Sequence, residues 1–203
     1  MFETLKSGGV LMIPIIACGI FAVYIIVERL YYFSKTGKRD KALISKVSED
    51  LAKADYNAAE ADCISAGTPL SDVARRVVRG RRLEEADLKE VVQVEMDQAL
   101  TKYEHFLAAL GTIANIATML GLLGTVTGNI RAFGVLGGGG TMGDPTALAN
   151  AIAEALVTTV GGLTVSIPSL VFHNVFNNMV KHRINQMEDF TTKIMLTVKG
   201  KDC

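Results

Sequence analysis

Leu120-Gly121-Leu122-Leu123-Gly124-Thr125-Val126-Thr127-Gly128 decides how this chain folds. It lies within an uncharged run, Phe106 to Ile130, long enough to cross a bilayer as a helix. Glycines and threonines are an odd choice for a helix that meets only lipid. Gly124 and Gly128 form a G-x-x-x-G pair, and Gly121 sits one turn earlier. All three are candidates for close helix packing, because small residues let backbones approach. On a helical wheel, Gly111, Ala114, Asn115, Thr118, Leu122, Thr125 and Asn129 fall on one side. Ile113, Ile116, Leu120 and Leu123 fall on the other. Polar side chains within a membrane face protein or a water-filled path, so this stripe is either helix–helix glue or the lining of an ion path.

The chain has 203 residues, with 21 Lys+Arg balanced by 21 Asp+Glu. That balance offers no argument for a nucleic-acid partner, and none is expected. The charges are segregated along the chain instead. Cys18, Cys63 and Cys203 are odd in number and far apart, which reads as isolated thiols. His105, His173 and His182 form no H-x-x-x-H pair. No metal site and no cofactor are expected.

The pattern predicts an all-α membrane protein of three transmembrane helices with long helical extensions outside the membrane. Residues 1–33 form the N-terminal end and first span, whose uncharged core is Val10 to Val27, closed by Glu28-Arg29. Tyr24, Tyr31, Tyr32 and Phe33 read as an interfacial aromatic belt. A cleaved leader ending at Cys18 is not expected, since the apolar run continues nine residues past it.

Residues 34–104 form a polar, Lys/Arg-rich helical segment, placed in the cytoplasm by the positive-inside rule. Gly67-Thr68-Pro69 divides it. The Arg75–Arg82 cluster, followed by Glu84, Glu85 and Asp87, reads as a solvated or salt-bridged face. Val91, Val94, Met96, Leu100, Tyr103 and Leu107 recur at helical spacing. No Gly or Pro intervenes between Glu84 and Gly111, so one unbroken helix is expected from Glu84 to Arg131, about 70 Å long.

The second span occupies 105–133 and a Gly-rich periplasmic loop 134–144, with Asp144-Pro145 opening the next helix. The third span occupies 145–180, with Pro168 expected to bend it, and 181–203 is a cytoplasmic C-terminal helix. The N-terminus is then periplasmic and the C-terminus cytoplasmic. On the third span Ala155, Thr159, Gly162, Ser166, Ser169, His173 and Asn177 share one stripe. Glu154 is the acid closest to this span, and an intramembrane acid is a functional candidate by default. Thr125 and Thr159 are paired hydroxyls able to donate and accept hydrogen bonds without titrating. Thr125, Thr159 and Glu154 are therefore the expected path-lining residues. Asn115, Thr118, Asn129, Ala155, Gly162, Ser166, Ser169 and His173 are secondary candidates on the stripes. Burial of both stripes calls for a cyclic homo-oligomer.

At these residues the chain resembles the MotA/TolQ/ExbB proton-channel family, its TolQ/ExbB branch in particular. The likeness rests on Leu120–Gly128, on Ile130-Arg131-Ala132-Phe133, and on Ala153-Glu154-Ala155-Leu156-Val157-Thr158-Thr159-Val160-Gly161-Gly162-Leu163. Ile167-Pro168 and Asn174 continue it, and Glu28-Arg29 closes the first span as in the family. The family pattern often has Pro at Thr118, Gly at Ala151 and an apolar residue at Asn129. The resemblance implies a bacterial inner-membrane pentamer surrounding a dimer of an ExbD/TolR-like single-span protein. That partner carries the proton-accepting Asp, and a TonB- or TolA-like transducer is a further expected partner. The resemblance also implies that proton-motive force drives envelope or outer-membrane work, with Thr125 and Thr159 at the pore threonines and Glu154 at the third-span acid. A non-conducting scaffold is the alternative. A secondary transporter is disfavoured by the lack of an inverted repeat. An enzyme is disfavoured by the lack of any nucleophile–base set in the sequence.

Overall fold

The computed structural model describes residues 9–137 and 144–200, and every described element is helical. In order these are α1 (Met12–Ala52), α2 (Tyr56–Ala66), α3 (Pro69–Arg79), a 3-10 turn (Gly80–Arg82), α4 (Glu85–Glu104), α5 (Leu107–Gly137) and α6 (Pro145–Val198). Three helical runs are long and apolar enough to cross a membrane: Met12–Ala52, Glu85–Gly137 and Pro145–Val198. The protein is an all-α membrane protein. Its chain divides into two compact units. One holds the described residues up to Glu28 together with Phe106–Val175, and the other holds Arg29–His105 and the residues from Phe176 onward.

In the first unit α5 and α6 pack through small residues. The buried face of α5 is Leu107, Leu110, Ala114, Ala117, Gly121, Gly124, Gly128 and Ala132. Ile13, Ile20, Phe21, Val23 and Tyr24 of α1 are exposed, as are Met119, Leu122, Val126 and Ile130 of α5. Outward-facing apolar surface of this kind suits lipid. The start of α1 meets α6, where a methyl group on Gly161 would contact Met12 and one on Gly19 would contact Val165.

In the second unit α1 buries Arg29, Phe33, Thr36, Asp40, Leu43, Val47 and Leu51, spaced three or four residues apart. Phe33 stacks on Tyr103 at 6.2 Å and on Phe176 at 5.9 Å. Phe33 is therefore core, while Tyr24 and Tyr31 are exposed. Gly67 caps α2 with φ 57°, and Thr68 starts α3 with a capping box shared with Ser71 and Pro69 behind it. The Arg75–Arg82 cluster does carry ion pairs, but with different acids than its sequence neighbours. Arg76 pairs with Glu95 at 3.3 Å and Arg79 with Glu60 at 3.2 Å.

Three expectations change. The helix from Glu84 is broken: α4 stops at Glu104 and Phe106 has φ 65°. No Gly or Pro marks the break, and a bulky residue rarely adopts this backbone conformation. Tertiary packing overrides helix propensity here: Tyr103 is fully buried, and buried Arg29 donates to the carbonyl of Tyr103 at 3.5 Å. The core face of α4 is Leu88, Val92, Met96, Ala99 and Tyr103, while Val94 is exposed. Finally, α5 continues through Gly134 to Gly137, which were expected in the glycine-rich loop, and residues 138–143 lie outside the described residues. Helix α6 does begin at Pro145, with Thr146 N–H donating to Asp144 Oδ1 at 2.9 Å, and it continues through Pro168. Cys203 also lies outside the described residues; Cys18 and Cys63 are free thiols.

Candidate functional site

The α5–α6 seam is built on close backbone approach. A Cβ on Gly162 would lie 2.5 Å from the Ala117 carbonyl oxygen and 3.0 Å from Gly121 Cα. One on Gly121 would lie 3.3 Å from Thr159 Cα, and one on Gly124 would strike the Thr158 side chain. A side chain at Gly128 would overlap Ala155. These three glycines thus face Thr158, Thr159, Gly162 and Ala155, as small-residue interfaces in membranes do.

The two key hydroxyls sit on this seam or beside it. Thr159 Oγ1 donates across it to the Gly121 carbonyl at 2.9 Å, with the Ala155 carbonyl also within 3.2 Å. Thr125 Oγ1 donates to the Leu122 carbonyl at 2.6 Å and is half-buried. Other stripe residues are taken up in packing. Thr118 Oγ1 donates to Ser166 Oγ at 2.6 Å, and Ser169 Oγ to the Val165 carbonyl at 2.7 Å. His173 Nδ1 donates to the Leu107 carbonyl at 2.9 Å, with Gly111 opposite the ring. Ala155, Gly162, Ser166 and Ser169 are buried, whereas Asn115 and Asn129 point outward. On the third-span stripe Ala155, Gly162, Ser166 and Ser169 are thus covered within the chain, while Thr159 and His173 stay half-buried.

Glu154 lies in a separate cavity of about 110 Å³ lined by Val10, Leu11, Gly124, Thr127, Arg131 and Thr158. Arg131 Nη1 is 2.8 Å from both carboxylate oxygens of Glu154. A side chain at Gly9, which has φ 65°, would overlap Glu154 Oε1. The carboxylate is thus held between a guanidinium on α5 and a bare backbone before α1. Arg131, Thr127 and Thr158 were not singled out from the sequence. Their signal was present in the spacing, since Thr127 and Arg131 are four apart on α5, as are Glu154 and Thr158 on α6. Among the described residues, no cluster of His, Cys, Asp and Glu could hold a metal ion.

The family model for the MotA/TolQ/ExbB proton channel family matches residues 65–189. The chain belongs to this family. The matched region runs from the end of α2 well into α6, so it takes in the whole α5–α6 seam. A putative biopolymer transport protein ExbB-like 3 from Synechocystis sp. is 27% identical over 95% of this chain and 92% of its own length. The biopolymer transport protein ExbB of Neisseria gonorrhoeae is 33% identical over 56% of this chain and 57% of its own. The Tol-Pal system protein TolQ of Haemophilus influenzae is 30% identical over 54% of this chain and 50% of its own. The chain is a multi-pass membrane subunit of the proton-channel type.

Proposed function

We propose that this protein is the channel-forming subunit of an inner-membrane motor that couples proton-motive force to envelope work, in the manner of ExbB or TolQ. Thr125, Thr159 and Glu154 line or gate the path. A ring of copies of this chain, five in the family pattern, surrounds a dimer of an ExbD/TolR-like single-span protein. The titrating Asp comes from that dimer, and a TonB- or TolA-like protein takes up the work. The N-terminus and residues 134–144 face the periplasm, while 34–104 and 181–203 face the cytoplasm.

The observation that carries this reading is the Thr159 hydroxyl donating to the Gly121 carbonyl across the two helices that hold the family's motifs. A hydroxyl engaged as a donor keeps lone pairs free to accept from water or from a protonated carboxyl. The test is proton flux through the assembly co-purified with its single-span partner. Thr159→Val preserves shape and removes the hydroxyl, and it should abolish flux with the assembly intact, while Thr159→Ser retains it. Full flux in Thr159→Val overturns the role. The internal coverage of Ser166 and Ser169 favours a second reading, a non-conducting scaffold. Wild-type assemblies without proton flux would select it.

A further inference from the structure

Asp40 stands among Lys38, Arg39 and Lys41, yet it is only 3% exposed. It lies in the unit formed by Arg29–His105 and the end of α6. Its Oδ1 is buried and has no hydrogen-bond partner. Its Oδ2 receives a long bond, 3.5 Å, from the Tyr103 hydroxyl, and the Thr68 hydroxyl also favours the carboxylate. A small cavity of about 40 Å³ adjoins it, lined by Lys41, Ile44, Leu70, Tyr103, Arg183 and Gln186 among others. That is room for a water molecule, and the walls offer the several polar partners a buried water needs.

We infer that Asp40 is a proton-binding site of this unit, distinct from the α5–α6 constellation, which takes up one proton on its carboxylate through the adjoining cavity. An ionised carboxylate left buried with an unpaired oxygen is costly, and a proton removes that cost. The proton reaches it from solvent past exposed Lys41, and no other bond changes. The groups facing Asp40 come from four helices. Lys41 stands beside it on α1, and Thr68 at the start of α3 offers a hydroxyl. On α4 the Tyr103 phenol faces it. On α6 the Arg183 guanidinium donates to Gln186 Oε1 at 3.4 Å and favours the carboxylate by its charge. Burial dominates these contributions and raises the acid above its ordinary 3.8.

The sign follows. The folded chain holds the Asp40 proton to higher pH than the unfolded chain does. The stabilisation is full below the ordinary carboxylate range and is lost as pH rises through the folded value. Proton binding therefore tightens the junction of α1, α3, α4 and α6.

The test is the melting temperature of the full chain in detergent from about pH 4 to about pH 8, a range that begins near the ordinary carboxylate value. Asp40→Asn should melt above the wild type at the alkaline end, and the gap should close toward the acid end. Arg183→Gln should move the wild-type transition to higher pH. A gap that stays constant with pH overturns the inference. If Asp40→Asn does not fold, infrared spectra of Asp-labelled wild type decide. A buried carboxylic-acid carbonyl band that appears on acidification above the ordinary range supports the site, and its absence refutes it.

Discussion

Gly162→Ala tests the helix seam most sharply. The new methyl carbon would sit 2.5 Å from the Ala117 carbonyl oxygen and 3.0 Å from Gly121 Cα. Carbon–oxygen contacts settle at about 3.3–3.6 Å, so α5 and α6 must separate by roughly 0.8–1.1 Å at this point. The obstacle is backbone, which cannot rotate away. The Thr159–Gly121 bond, now 2.9 Å, stretches past a useful length. Overpacking costs about 1–3 kcal/mol and the weakened bond about 0.5–1.5 kcal/mol. Better helix propensity returns about 0.8–1 kcal/mol. The net is a loss of about 0.5–3.7 kcal/mol. Gly161→Ala is the matched control: its methyl crowds the end of the Met12 side chain, Cε at 2.9 Å and Sδ at 3.0 Å, which can swing aside, and meets Ile15 Cγ2 at an ordinary 3.9 Å. Thermal melting of the two variants in the same detergent should show Gly162→Ala lower by several degrees and Gly161→Ala unchanged or higher. Proton flux should fall in the first variant alone. Equal melting of the two would refute the backbone-contact argument.

Neutralising one partner of the Arg131–Glu154 pair, as Arg131→Gln or Glu154→Gln, should lower proton-driven activity, and the exchange Arg131→Glu with Glu154→Arg should restore part of it. If the exchange is as inactive as the singles, Glu154 acts by its own chemistry and not through the pair. The side chains are 59% and 28% exposed, so thermal stability should change little in either single. Cys63 is buried and its thiol is pushed up to about 12, chiefly by desolvation. At about pH 8, below even the ordinary thiol range, it should resist alkylation in the folded chain and react after denaturation, as mass spectrometry of the labelled peptide would show. Rapid labelling of the native protein would contradict that burial.

The seam was legible because its information is local and periodic. Gly121, Gly124 and Gly128 repeat at the spacing that brings one helix face forward, and their lack of side chains has one physical use there. The start of α6 and the break before α3 were legible for the same reason, since Asp144-Pro145 and Gly67-Thr68-Pro69 act on backbone groups within a turn. What escaped the sequence depends on partners far along the chain. Arg131 and Glu154 are 23 residues apart on different helices, and nothing in either neighbourhood announces the other. Phe33 looks like belt until Tyr103 and Phe176 are seen to close over it. The break at Phe106 carries no breaker residue at all. Asp40, in a run of cations, has the composition of surface and the environment of core.

The seam also constrains what its threonines can do. Each hydroxyl has one proton, and in Thr125 and Thr159 that proton is directed to a main-chain carbonyl. Such a group cannot pass its proton on without breaking a bond that fastens the helices, or one that closes a turn of its own helix. It can still accept, because both oxygen lone pairs remain. The threonines are thus fixed acceptors, suited to orienting a protonated carboxyl or a water brought to them by another chain. A carboxylate already paired with Arg131, as Glu154 is, suits the role of fixed charge better than that of carrier. In the proposed motor the mobile proton then rides on a group other than these three side chains. The proposed single-span partner, with an acid in its span, would supply such a group, and the fixed acceptors of the seam suit it.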